Sequence, residues 1–125
     1  IRLGIYADSL RAAVIKGKAP GMQPLSAAMA DLLVTEQHER LMAAQADLVT
    51  CVPCYWGKRF LPHHHQAETI GTVIASRLKL PLSLSTLFKV RFTRDQSELP
   101  REQRLKNLDR AFRVRAPARD SDSPA

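Results

Sequence analysis

Little in this chain points to secretion, to a membrane or to a stacking surface. There are two cysteines, one Trp, two Tyr and four Phe in 125 residues. No stretch is apolar over the length that a membrane span needs, and no basic region followed by an apolar one opens the chain as a signal peptide would. Two cysteines without a secretory signal fit a reducing, cytoplasmic setting better than an oxidising one. Aromatic side chains are too scarce to supply a row of base-stacking platforms, several of them being expected in the core. No internal repeat is present. An initiating methionine is missing too: the chain opens on Ile1, which points to an internal start, as in a fragment, a processed product or an incomplete reading frame.

What is present is a basic, ordinarily hydrophobic chain. The hydrophobic share is 45%, which excludes wholesale disorder. The length allows one domain at most, with a modest core. Nineteen Lys and Arg against twelve Asp and Glu leave a net charge of +7, and the pI is near 10.0. That excess favours an anionic partner, whether nucleic acid, a phosphorylated metabolite or an acidic protein surface.

The hydrophobic pattern alternates between strand and helix. Ile1, Leu3 and Ile5 alternate with Arg2, Gly4 and Tyr6, the period of a strand with one buried face. Asp8 or Ser9 can cap a helix carrying Leu10 and Val14. Gly17 and Pro20-Gly21 break the chain, and a second helix starts near Pro24 with Leu25, Ala28, Met29, Leu32 and Leu33 as its apolar stripe. Its end is open between Thr35 and Gln45. Leu48 to Val52 is a continuous apolar run, as in a parallel strand covered on both faces. A helix over Gln66 to Leu78 follows, burying Ala67, Ile70, Ile74 and Leu78, and Leu82 to Val90 reads as the next strand. Strand, helix, strand in that order predicts a crossover and a parallel sheet. Residues 116–125, APARDSDSPA, have no apolar anchor and are expected to be a disordered tail.

The segment from Lys89 to Phe112, KVRFTRDQSELPREQRLKNLDRAF, is the most informative. Pro100 suits a first helical position, where its missing N–H has no partner to lose. Leu105, Leu108 and Phe112 are spaced to share the face that packs down. Arg104 and Asn107 lie one turn apart. The spacing Arg91-x-Thr93-x-x-Gln96-x-x-Leu99-x4-Arg104-x-x-Asn107-x3-Ala111-Phe112 resembles the signature of the ComF/GntX family of phosphoribosyltransferase-like proteins. Lys16 after its apolar helix, Ala46-Asp47-Leu48-Val49 leading into Val52-Pro53, Lys58-Arg59, and Gln66-Ala67-Glu68 opening a helix follow in the order that family shows. The likeness covers residues 5 to 115.

The resemblance implies an α/β fold: the Rossmann-like parallel sheet of a type I phosphoribosyltransferase, partial here, with the carboxyl-terminal strands and the loop for phosphoribosyl pyrophosphate missing. Residues 1–115 would form that partial domain. The implied reaction is phosphoribosyl transfer to an unknown acceptor, with pyrophosphate leaving and Mg²⁺ assisting, in a cytoplasmic protein linked in some bacteria to DNA uptake. The implied phosphate- and substrate-binding residues are Lys58, Arg59, Arg91, Gln96, Arg104 and Asn107. Lys58 and Arg59 lie in the loop after a strand, where open α/β sheets bind ligands. Arg91 and Arg104 could neutralise pyrophosphate, or these residues could instead hold the loop to its own domain.

Two departures from the family stand out. Pro62, His63, His64 and His65 replace most of an Arg-Gly-x-Asn-Gln motif, leaving only its Gln, at Gln66. The family's acidic pair and Thr-Thr-Gly turn, which cradle the 5-phosphate on backbone N–H groups, have no counterpart among the 125 residues. The chain alone is therefore expected to be catalytically incompetent, and a basic module binding single-stranded DNA through Lys58-Arg59, Lys89-Arg91-Arg94 and Arg101-Arg104 is the alternative. Cys51-Val-Pro-Cys54 followed by His63 to His65 has the look of half a zinc site. Cys51 falls inside an apolar strand, however, and both cysteines stand where the family has Val, so a small core side chain is the preferred reading and no metal is assigned.

Overall fold

The computed structural model of the protein describes residues 1–53 and 65–115. In chain order the elements are α1 (Asp8–Lys16), α2 (Gln23–Ala43), β1 (Val49–Thr50), α3 (Gln66–Leu78), β2 (Leu82–Ser83), β3 (Leu87–Lys89), a 3-10 turn (Gln96–Glu98), α4 (Arg101–Leu108) and β4 (Phe112–Val114). The architecture is mixed α/β. β1 and β2 pair in parallel, Val49 opposite Leu82 and Thr50 opposite Ser83, with α3 as the crossover between them. β3 and β4 pair antiparallel in a second two-stranded sheet.

α3 has the bounds that its periodicity predicts, and its ends explain why. After Leu78 the chain turns through Lys79 in the left-handed region, φ 55° and ψ 41°. The Lys79 N–H donates to the Ser76 carbonyl at 3.3 Å and that of Leu80 to Ala75 at 2.9 Å, a Schellman arrangement that closes the last turn. Pro81 then directs its carbonyl to the Val49 N–H at 2.9 Å, which starts the β1–β2 ladder.

α2 packs along α3 through small side chains. Ser26, Ala30 and Val34 are its buried residues, and Gly71 and Ala75 those of α3. The buried face is thus displaced from the expected stripe: Ala28 is exposed and Leu32 is 49% exposed. Close approach of two helices selects small residues, so the larger apolar side chains ride at the edges of the contact. α2 runs on to Ala43, with a break in helical geometry at Gln37. α1 meets both helices at Gly17, where an added Cβ would lie 2.6 Å from Gln66 Nε2 and 2.9 Å from Ser26 Oγ. Ser26 Oγ donates to the Gly17 carbonyl at 3.0 Å and Gln66 Nε2 to that of Val14 at 3.2 Å. On the surface Arg77 pairs with Asp31 and reaches Thr35.

Several expectations are corrected. Residues 1–7 form no strand; Ile1 and Ile5 are exposed and the Ala7 N–H turns back to the Ile5 carbonyl at 2.8 Å. Neither Asp8 nor Ser9 caps α1, since Ala7 holds the N-cap position and no side chain bonds there. β1 covers only part of 48–52 and is not covered on both faces: Thr50 is exposed and Val52 is 66% exposed, because among the described residues the parallel sheet has two strands and α3 packs on one side. Leu82 to Val90 is two strands in two sheets. Ser83 Oγ accepts from the Thr86 N–H at 3.2 Å and bonds Thr86 Oγ1 at 2.8 Å, a local turn that competes with extended pairing and redirects the chain. The expected tail, 116–125, lies outside the described residues. The fully buried apolar side chains among the described residues are all small: Ala30, Val34, Ala75 and Ala111.

Candidate anion-binding cleft

The antiparallel β3–β4 pair sets the direction of the side chains that these two strands bring to the site. Leu87 stands opposite Val114, Phe88 opposite Arg113 and Lys89 opposite Phe112. Alternation puts Lys89 and Phe112 on one face, where the Lys89 ammonium lies 5.8 Å from the Phe112 ring centre. Phe88 and Arg113 take the other, with the Arg115 guanidinium 5.5 Å from the Phe88 ring centre. The ladder extends by the Val90 N–H donating to the Ala111 carbonyl at 2.9 Å.

Beyond β3 the chain folds back on itself, and the residues of the spaced signature do the stapling. Arg91 donates from Nη2 to the Asn107 carbonyl at 2.9 Å, from Nε to the Asp109 carbonyl at 3.1 Å and from Nη1 to the Phe92 carbonyl at 3.3 Å. A second Nη2 bond also reaches Asp109. Its guanidinium thereby satisfies carbonyls at the end of α4 that have no partner within the helix. Asn107 reads the Arg94 backbone twice: its Oδ1 accepts from the Arg94 N–H at 3.1 Å and its Nδ2 donates to the Arg94 carbonyl at 2.9 Å. Gln96 Nε2 donates to the Arg104 carbonyl at 3.3 Å, and Arg104 Nε donates to that of Leu99 at 3.1 Å. Gln96 Oε1 is enclosed without a partner among the described residues. Asp95 caps the 3-10 turn, accepting from the Ser97 N–H at 3.0 Å and from Ser97 Oγ at 2.8 Å.

Two expectations for α4 change accordingly. Pro100 sits at the N-cap, one residue before the helix. Leu105 does not pack down; it is 84% exposed. α4 ends at Leu108 and Phe112 belongs to β4, so the helical period does not carry across to it. The inner face of α4 is held by the polar contacts of Arg104 and Asn107, with Leu108 half-buried.

Between this block and the end of β1 lies a cleft of about 500 Å³. Val52, Pro53, Phe92, Leu108 and Phe112 form apolar walls, and Lys89, Thr93, Arg94, Asp95 and Gln96 bring polar groups. Val52 and Pro53 follow β1 after Cys51, which places the cleft outside the carboxyl end of a parallel strand, where open α/β sheets bind ligands. Of the six sequence-assigned residues, Gln96 lines this cleft. Arg91, Arg104 and Asn107 make their bonds to backbone beside it, and Lys58 and Arg59 lie outside the described residues. Lys89 and Arg94, legible in the sequence only as members of a basic cluster, are the cations that line it among the described residues. The Arg94 guanidinium has no partner among the described residues.

The described residues that line the cleft do not form a side-chain site for Mg²⁺. Such an ion takes oxygen ligands, one or two of them carboxylates. Asp95 is the acidic side chain in the lining, and its carboxylate already serves Ser97. Among the described residues no three His, Cys, Asp or Glu side chains come together.

Cys51 lies apart from the cleft chemistry. Its thiol donates to the Ala67 carbonyl at 3.2 Å, against α3. Burial first, and then the nearby Glu68 carboxylate, raise its pKa above the ordinary thiol value. Cys54, His63 and His64 lie outside the described residues. Because the folded pKa is raised, the fold favours the protonated thiol. The resulting stabilisation is full below the unfolded thiol's pKa and is lost as pH rises through the folded one. In a Cys54→Ser variant, alkylation of Cys51 by iodoacetamide is expected to reach half its maximal rate at a higher pH in the folded chain than in urea. An equal or lower pH in the folded chain contradicts this environment.

No protein-family model, curated protein or solved structure matches the chain. Among the described residues no helix is long and apolar enough to cross a membrane.

Proposed function

We propose that this chain is a partial phosphoribosyltransferase-like domain of the ComF/GntX type, Rossmann-like and cytoplasmic, whose cleft beyond β1 takes the pyrophosphate end of phosphoribosyl pyrophosphate. One observation carries the reading. The widely spaced signature residues Arg91, Gln96, Arg104 and Asn107 act on a single folded block, and that block walls a basic cleft at the carboxyl end of a parallel strand. Spacing that resembles a family signature has a physical reason here, since each residue closes a hydrogen bond to the backbone of another part of the block.

Phosphoribosyl transfer with pyrophosphate leaving depends on positioning the sugar and on neutralising the departing charge. Lys89 and Arg94 can supply charge to the pyrophosphate, and Phe92 and Phe112 an apolar wall beside it. The 125 residues contain no acidic pair followed by a Thr/Gly turn to hold the 5-phosphate and ribose. Binding without turnover is the expected behaviour. Isothermal titration should register phosphoribosyl pyrophosphate binding, tighter than ribose 5-phosphate, while a coupled assay detects no pyrophosphate release. Release of pyrophosphate by these residues alone contradicts the expectation of incompetence. A single-stranded oligonucleotide that binds with steep salt dependence, while phosphoribosyl pyrophosphate does not bind, favours the nucleic-acid alternative.

A further inference from the structure

The signature residues are engaged with backbone, which leaves open which groups meet an anion in the cleft. Arg91 directs its bonds to the Phe92, Asn107 and Asp109 carbonyls. Arg104 bonds the Leu99 carbonyl and is not part of the cleft lining. Arg94 differs from both. It lines the cleft, its side chain is exposed, and its guanidinium has no partner among the described residues. Its backbone, by contrast, is gripped on both sides by one amide, that of Asn107.

That two-point grip resembles a β-ladder pair made by a side chain. A carboxamide offers one acceptor and two donors in a plane, so it matches a peptide N–H and C=O together. It fixes the direction of the Cα–Cβ bond of Arg94 without touching the guanidinium. Lys89, which also lines the cleft, is placed by the β3–β4 register and by the Phe112 ring. Thr93, in the connection between them, is buried, 7% exposed.

We propose that Arg94, with Lys89, contacts the pyrophosphoryl group of the ligand, and that Asn107 is the positioning residue that aims Arg94 into the cleft. The assignment rests on the reading of the cleft given above. It moves ligand contact from Arg91 and Arg104 to a residue outside the quoted spacing, and it gives Asn107 a role exerted through Arg94. A guanidinium suits a pyrophosphoryl group because its planar fork donates to two oxygens at once.

The test is a double-mutant cycle on the full 125-residue chain with inorganic pyrophosphate as probe, read by isothermal titration. Arg94→Ala is expected to weaken binding about tenfold. Asn107→Ala is expected to approach that loss, and the double variant to be little worse than Arg94→Ala. Both single variants should also flatten the ionic-strength dependence of binding by the same amount, which a purely structural role of Asn107 would not do. Should Asn107→Ala fail to fold, Asn107→Ser keeps one hydroxyl for the Arg94 backbone and is read in the same way, with a smaller loss. Additive losses, or an Asn107 variant that binds as the wild type does, overturn the proposal, as does an Arg94→Ala variant with undiminished affinity. Phosphoribosyl pyrophosphate separates the two readings. If it binds while Arg94 and Asn107 are indifferent, the positioning proposal falls and the proposed function stands. If the cycle holds with inorganic pyrophosphate but phosphoribosyl pyrophosphate does not compete, the anion site stands and the phosphoribosyl reading falls.

Discussion

Gly71→Ala is expected to destabilise the fold by about 2 kcal/mol, and a second change, Cys51→Ala, to recover most of that loss. A Cβ on Gly71 would stand 2.4 Å from Cys51 Sγ, far inside contact distance. Rotating the thiol away would forfeit the bond that it donates to the Ala67 carbonyl, one turn earlier on the same helix. Alanine in the middle of a helix would otherwise gain about 1 kcal/mol over glycine, so any net loss measures the steric conflict. Leu82 Cδ1 at 3.5 Å and Val49 Cγ1 at 3.9 Å would be ordinary contacts for the new methyl. Removing Sγ therefore opens the space that the methyl needs. Urea unfolding of the wild type, both single variants and the double gives the cycle. A Gly71→Ala chain as stable as the wild type contradicts the close approach of β1 to α3, and with it the tight parallel unit.

Arg91→Ala is expected to cost about 2 to 3 kcal/mol and Arg91→Lys to restore less than half of it. The guanidinium bonds three separate carbonyls, those of Phe92, Asn107 and Asp109. One ammonium cannot span them in the same geometry. Loss of the staple should free the end of α4 and with it the Arg94 N–H that Asn107 holds, so hydrogen exchange at that amide should quicken. The Val90 amide, bonded to Ala111, should follow, while amides along α2 and α3 keep their protection. Unchanged stability together with lost ligand affinity would show instead that Arg91 meets the ligand directly, as the family resemblance implies.

The sequence was legible where local chemistry and tertiary packing agree. Gln66 to Leu78 carries a helical period and ends at Leu78-Lys79-Leu80-Pro81, where the chain can no longer continue the helix, and the structure begins and ends α3 at those residues. The order of β1, α3 and β2, and their parallel pairing, were readable for the same reason. Leu82 to Val90 was not, because the apolar run hides Ser83, whose hydroxyl folds the chain back onto Thr86. Leu105 stays exposed because periodicity marks spacing and not which face meets a neighbour; α4 is tied down by Arg104 and Asn107, polar residues that a hydrophobic pattern leaves out. The same limit governs the site. Spacing picked out Arg91, Gln96, Arg104 and Asn107 as a set, but a long polar side chain can aim at a ligand or at a carbonyl of its own chain with the same spacing. The cleft emerged only when Val52-Pro53, distant in sequence, came to face Arg94 and Phe112.

The most direct test is a two-dimensional NMR titration of the ¹⁵N-labelled chain with phosphoribosyl pyrophosphate. The amides of Lys89, Thr93, Arg94 and Val52 are expected to shift together along one saturable curve, with those of α1 and the first turns of α2 unmoved. Absence of shifts at saturating ligand, or weak shifts scattered over the exposed arginines Arg101, Arg110, Arg113 and Arg115, would contradict a phosphoribosyl-pyrophosphate cleft and leave only diffuse attraction of anions to a basic surface.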